Sequence, residues 1–143
     1  MIRTFVVLLS LTSHAAASDV LVGVNTISGD VSVFDTDNGS RTVISNVGAN
    51  NGITSMASNG IDNQVFVVGS GGLSEIDLLG GTLDTINSNP GLVTGIAYDE
   101  QDMRLLGVLR ESNDLNNLVE FDLDTGVTTV IGDLGTSVAE ITF

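Results

Sequence analysis

Two short turns carry the side chains best suited to chemistry. Asp35-Thr36-Asp37-Asn38-Gly39 and Asp122-Leu123-Asp124-Thr125-Gly126 each set two carboxylates two residues apart, ahead of a glycine. Calcium loops use oxygen ligands at alternate positions and then a glycine for the sharp bend. Asp35, Asp37, Asp122 and Asp124 are therefore the candidate metal ligands, and calcium the candidate cofactor. An EF-hand is excluded, because the twelfth position counted from Asp35 is Asn46, where a Glu is needed. The same spacing also suits a plain turn, in which Asp accepts backbone N–H groups and Gly takes a positive φ. The middle copy, Asp77-Leu78-Leu79-Gly80-Gly81, has no second acid, which favours the turn. Tyr98-Asp99-Glu100 is a third polar group, again most simply a turn between strands. Gly69-Ser70-Gly71-Gly72 is glycine-rich, but no Lys follows and no helix opens, so its signal for phosphate binding is very weak.

Missing residue types narrow the chemistry further. The chain has no Cys, its four cationic residues are all Arg, and its one His is His14. Beyond residue 17 this removes Ser-His-Asp triads, Cys-His dyads, His-ligated haem, the usual zinc sites and Schiff-base lysines. A pair of carboxylates working on a glycoside remains formally open, although no acid stands in an apolar run that would raise its pKa. Eighteen Asp and Glu against four Arg give a net charge of −14. Phosphate binding needs clusters of Lys and Arg, so nucleic acid is excluded as a partner. An anionic membrane surface is disfavoured for the same reason.

The first residues read as an address. Met1-Ile2-Arg3 is a short basic start, Phe5 to Leu11 is apolar, and Ala15-Ala16-Ala17-Ser18 supplies small residues for cleavage. This is the layout of a secretory signal peptide over 1–17, with a cut after Ala17. The expected location is secreted or periplasmic, with 18–143 as one domain. No later stretch approaches the roughly 20 apolar residues of a membrane span.

The elements that position the turns repeat along the chain. Val31-Ser32-Val33-Phe34-Asp35, Leu73-Ser74-Glu75-Ile76-Asp77 and Leu118-Val119-Glu120-Phe121-Asp122 each end in Asp, and a Gly follows four residues later. A second track aligns Ile53–Ala57, Val93–Ala97 and Val138–Thr142, and a third aligns Leu21–Val24, Val65–Val68 and Leu105–Val108. The repeat is thus 40–45 residues long, and the extra length of the last interval falls in the polar loop 111–117. Inside each repeat, short β-branched runs alternate with Gly, Asn and Asp clusters, which predicts strands and turns rather than helices. Twelve strands are expected, near 20–24, 31–35, 42–47, 53–57, 64–69, 73–77, 82–87, 93–98, 104–109, 117–122, 127–132 and 138–143. Four strands per repeat is β-propeller spacing. A blade that is apolar on both faces must be covered by neighbouring blades.

The run Asp19–Asn25 followed by Gly29–Thr36 resembles the YVTN-type repeat of secreted prokaryotic propellers. The unit Val93–Tyr98, Leu105–Val108, Leu118–Asp122, Thr125-Gly126 and Thr129–Gly132 is similar to repeats of exported bacterial propellers and to the YWTD unit. The resemblance covers 19–143 and implies an all-β, β-propeller-like fold of about three four-stranded antiparallel blades. Closed propellers have four to eight blades. Three blades imply either a partial propeller or half of an oligomeric ring, with 138–143 completing the first blade. The implied function is a secreted, non-enzymatic module for binding or structural interaction. Its partners would be itself, in a ring-closing homodimer, or another extracellular protein or a glycan. The alternatives are a lactonase-like hydrolase, metal-dependent through carboxylates, and a lectin.

Overall fold

The computed structural model describes residues 20–49, 51–60, 62–111, 115–135, 138 and 141. Strands β1 (Val20–Val24), β2 (Asp30–Asp35) and β3 (Arg41–Asn46) form the first sheet. The second contains β4 (Ser55–Asn59), β5 (Gln64–Gly69), β6 (Gly72–Asp77) and β7 (Leu83–Asn87). The third contains β8 (Leu92–Asp99), β9 (Arg104–Arg110), β10 (Asn116–Phe121) and β11 (Thr128–Asp133). Every pairing joins sequence neighbours and is antiparallel. The described residues are all-β, as the repeat predicts. The expected strand 138–143 and the signal peptide 1–17 lie largely or wholly outside the described residues.

The sheets repeat in register as well as in sequence. Leu21 pairs with Phe34, Val65 with Ile76 and Leu105 with Phe121, at the same place in each sheet. The pairing with the outer strand slips at Val31/Ser32, Leu73/Ser74 and Leu118/Val119, again at one repeat position. Such irregularities bend and twist a strand locally, so each sheet carries the same bend.

Side-chain alternation explains how the sheets pack. Successive residues of a strand point to opposite faces. On β5, Val65 and Val67 join a core with Val22, Val24, Val31, Met56 and Ile76, between the first and second sheets. Phe66 and Val68 turn the other way, into a core with Leu73, Val93, Ile96, Tyr98, Leu105, Val119 and Phe121, between the second and third. The middle sheet is therefore apolar on both faces, and β5 is buried from Val65 to Gly69. The outer strands are wet: Val43, Leu83, Val130 and Ile131 are all exposed. The inner strands β4 and β8 meet through polar links. The Ser55 hydroxyl accepts the buried Ile96 N–H at 3.1 Å, and the Thr54 hydroxyl donates to the Val93 carbonyl at 2.7 Å.

Candidate functional site

Antiparallel meanders send every second connection to the same end of a sheet. The β2–β3, β6–β7 and β10–β11 turns and the β4–β5 and β8–β9 loops thus gather at one end. That end holds Asp35, Asp37, Asp62, Asp77, Asp99, Glu100, Asp102, Asp122 and Asp124. Its cations are Arg41 and Arg104, at the starts of β3 and β9. It is the acidic end of the molecule.

Most of these carboxylates are employed locally. Asp35 accepts the N–H groups of Asp37 and Asn38 at 2.8 and 3.2 Å, and the Asn38 side-chain amide at 2.8 Å. Asp122 accepts the N–H groups of Asp124 and Thr125 at 3.0 and 2.8 Å. Asp77 does the same for Leu79 and Gly80, and Asp99 for Gln101 and Asp102. An Asp side chain that bonds backbone two and three residues onward builds the turn itself. The turn closes when the Gly39, Gly81 or Gly126 N–H reaches the carbonyl of its own Asp at 2.8 Å. The Thr125 N–H and hydroxyl, and then the Asp124 N–H, hold the Asp122 carboxyl below its ordinary pKa. The Asp102 N–H, followed by the Arg104 guanidinium, does so for Asp99.

The four candidate ligands are not brought together. Asp35 and Asp37 stand on the first sheet, Asp122 and Asp124 on the third, and the second sheet lies between. Among the described residues no group of three or more His, Cys, Asp or Glu could hold a metal. Calcium takes six to eight oxygen ligands, of which one such turn offers two carboxylates. The arrangement is that of a strand-terminating turn.

Two groups behave in ways the sequence conceals. Glu75, at mid-strand on β6, has its pKa raised, first by burial and then by the charge of Asp84 directly across the ladder. The Gln64 amide donates to it at 2.6 Å. In sequence, Glu75 stands between Ser74 and Ile76, which are not an apolar run; the shift follows from its part-buried place on β6 and its pairing with Asp84. Tyr98 does not stand open as a turn residue would. Its ring stacks on Phe66 at 5.5 Å between sheets, and burial pushes its phenol above the usual value. Asp99 and Asp102 both grip Arg104, at 3.2 and 2.8 Å, which closes the β8–β9 loop. At the opposite end, Val47, Asn51, Ile53, Val67, Gly71, Gly72 and Ser74 line a cavity of about 20 Å³. That is room for one water, not for a substrate.

No protein-family model and no curated protein matches the sequence. Solved structures do match the fold. A chain of the nidogen/laminin complex superposes with a TM-score of 0.62 at 13 % identity, over 82 % of this chain and 45 % of that one. An auxiliary nutrient binding protein from Bacteroides ovatus gives 0.57 at 14 %, over 83 % and 30 %. A puromycin hydrolase variant complexed with PGG gives 0.55 at 21 %, over 83 % and 19 %. The chain spans less than half the length of each. At these identities the likeness concerns fold alone, and the fold is that of a partial β-propeller.

Proposed function

We propose that the protein is an exported, non-enzymatic propeller-type module that binds another extracellular protein or a glycan. The observation that carries this reading is the use of its polar side chains. Asp35, Asp77, Asp99 and Asp122 cap turns, Ser55 and Thr54 link the inner strands, and Asn87 donates to the Gly126 carbonyl across a sheet boundary. Groups occupied in this way hold a scaffold and are not poised to attack a substrate. Nidogen was solved in complex with laminin, and a second structural neighbour is a nutrient binding protein. Both fit a binding role for this fold.

The export part is tested by expressing the full chain in a bacterial host and sequencing the N-terminus of the released protein. A start at Ser18 supports export; retention in the cytoplasm with Met1 intact overturns it. The binding part is tested with a glycan array and a panel of purified extracellular matrix proteins, run beside an ester and lactone substrate panel. Saturable binding without turnover supports the reading. Turnover abolished by chelator and by Asp35→Ala would establish the hydrolase instead.

A further inference from the structure

Tyr98 lacks what the other buried polar side chains have. The Ser32 hydroxyl accepts from Arg41 Nε at 2.8 Å, and Ser55 accepts the Ile96 N–H. Asn59 donates to Asp62 and Gln64, and Asn116 donates to the Val138 carbonyl. A buried tyrosine ordinarily finds a partner for its hydroxyl as well. Tyr98 is only 9 % exposed and its ring stacks on Phe66, yet among the described residues no group hydrogen-bonds its hydroxyl.

That hydroxyl stands at a mouth between two loops of the acidic end. Tyr98 is the next-to-last residue of β8 and leads into the β8–β9 loop. The Gly60 N–H of the β4–β5 loop donates to Glu100 Oε1 of the β8–β9 loop at 3.2 Å, across 40 residues of sequence. Asp62, also in the β4–β5 loop, accepts the Asn59 amide on Oδ2 at 2.9 Å. Each carboxylate thus spends one oxygen on holding the loops. Glu100 Oε2 and Asp62 Oδ1 have no hydrogen bond among the described residues. After burial, the charges of Asp62 and Glu100 raise the pKa of the Tyr98 phenol, so its oxygen faces the same mouth as they do. Neither carboxylate has an ion-pair partner among the described residues. Arg104 is held by Asp99 and Asp102, and Arg41 by Asp30 and Ser32.

We propose that the mouth formed by Tyr98, Glu100 and Asp62 binds a primary ammonium group, the head of a lysine side chain on a partner protein. An ammonium is a compact charge with three N–H donors. The mouth offers it three acceptors, namely the remaining oxygens of Glu100 and Asp62 and the Tyr98 hydroxyl, together with two negative charges that no Arg offsets. A guanidinium fits less well, because its fork pairs with both oxygens of one carboxylate, and here each carboxylate has one oxygen already engaged. A calcium ion would find two carboxylates and a phenol where it needs six to eight oxygens. The surrounding acidic end draws a basic segment toward the mouth. The inference rests on the reading of the chain as a protein-binding module and names the chemistry of the contact.

The probe is Nα-acetyl-lysine amide, titrated into the full chain at constant ionic strength. Tyr98 is the single tyrosine and the chain has no Trp, so its emission reads the site directly. The emission should change saturably. The same compound acetylated on its side chain, and so uncharged, should have no effect. Tetramethylammonium, which has the charge but no N–H, should bind several-fold more weakly. Glu100→Gln and Asp62→Asn each keep an oxygen for Gly60 or Asn59, so the loops stay closed, and each should weaken binding several-fold. Asp37→Asn removes a charge from the same end but on the first sheet, and should leave the affinity unchanged. Tyr98→Phe keeps the stack on Phe66 and should weaken binding, followed by proton NMR of the ligand. An emission that tracks ionic strength alone overturns the proposal. So does equal binding of tetramethylammonium, or an equal loss in Glu100→Gln and Asp37→Asn. Such a failure would leave the binding reading itself to the matrix-protein and glycan panels, which decide it separately.

Discussion

Gly126 lies against the carbonyl oxygen of Ile86, so closely that no β-carbon fits between the turn of the third sheet and the outer strand of the second. Gly126 also holds φ at +73°. Gly39, at the same point of the first sheet, holds φ at +71° with open space around it. One residue type therefore answers one demand at Gly39 and two at Gly126. Gly39→Ala should cost only the left-handed penalty, about 1–2 kcal/mol. Gly126→Ala should cost that plus overpacking of roughly 1–3 kcal/mol. Urea denaturation of both reads the difference as the worth of the sheet-to-sheet approach. Equal losses would show that the two sheets separate without resistance.

Tyr98 is the single tyrosine, so its ionisation can be followed by ultraviolet absorbance without interference. Burial against Phe66, then the charges of Asp62 and Glu100, raise its pKa. The native midpoint should lie above the denatured value of about 10. The native state then keeps its proton longer than the unfolded one, so stability falls as pH rises beyond about 10. Phe66→Leu should loosen the stack and bring the native midpoint down toward the denatured one. A native midpoint equal to that in urea would mean that Tyr98 is wet and the second core open.

Much of the fold was legible because a propeller repeats. Ile76 and Phe121 hold the same place, one residue before the turn Asp, in two repeats, and both are buried at one face of their sheets. Phe34, at the same place, is only half-buried, because no sheet among the described residues covers the face it presents. The alternation of β5 was hidden, since Val65, Phe66, Val67 and Val68 are all apolar and both faces are used. The turn role of Asp35 and Asp122 could be read from spacing, because it is local. The perturbed Glu75 could not be, because Asp84, nine residues on, reaches it only through the β6–β7 ladder. Local chemistry was visible in the residues; chemistry made by pairing was not.

Acid should act on the fold in two opposing ways. Asp122, Asp99 and Asp30 have lowered pKa values, the last through the Ser28 hydroxyl and the Asn46 amide, with Arg41 adding. Their contribution is fully present above the unfolded value of about 3.9 and is lost as pH falls through their lower folded values. Glu75 is raised, so its ionisation weakens the fold as pH climbs from about 4.3 through its folded value. Glu75→Gln should therefore raise Tm at pH 7 and leave it unchanged near pH 3.5. A variant that melts lower than wild type at pH 7 would show that the carboxylate is stabilising where it stands.

The repeated Asp turns make a last distinction, between a cation and plain screening. Nine carboxylates gathered at one end repel one another, and dissolved salt screens such repulsion. Tm should rise with sodium chloride, and calcium at matched ionic strength should add nothing. A specific calcium site would behave otherwise. It would contribute about 2.7 kcal/mol once calcium reached 100 times its dissociation constant, and Asp35→Asn or Asp122→Asn would abolish that gain. On the turn reading, both Asn variants keep an oxygen able to accept the Asp37 and Asn38, or the Asp124 and Thr125, N–H groups. Their melting temperatures should then stay close to that of the wild type, with or without chelator. A calcium-dependent Tm lost in either variant would reassign the turns from scaffold to metal site.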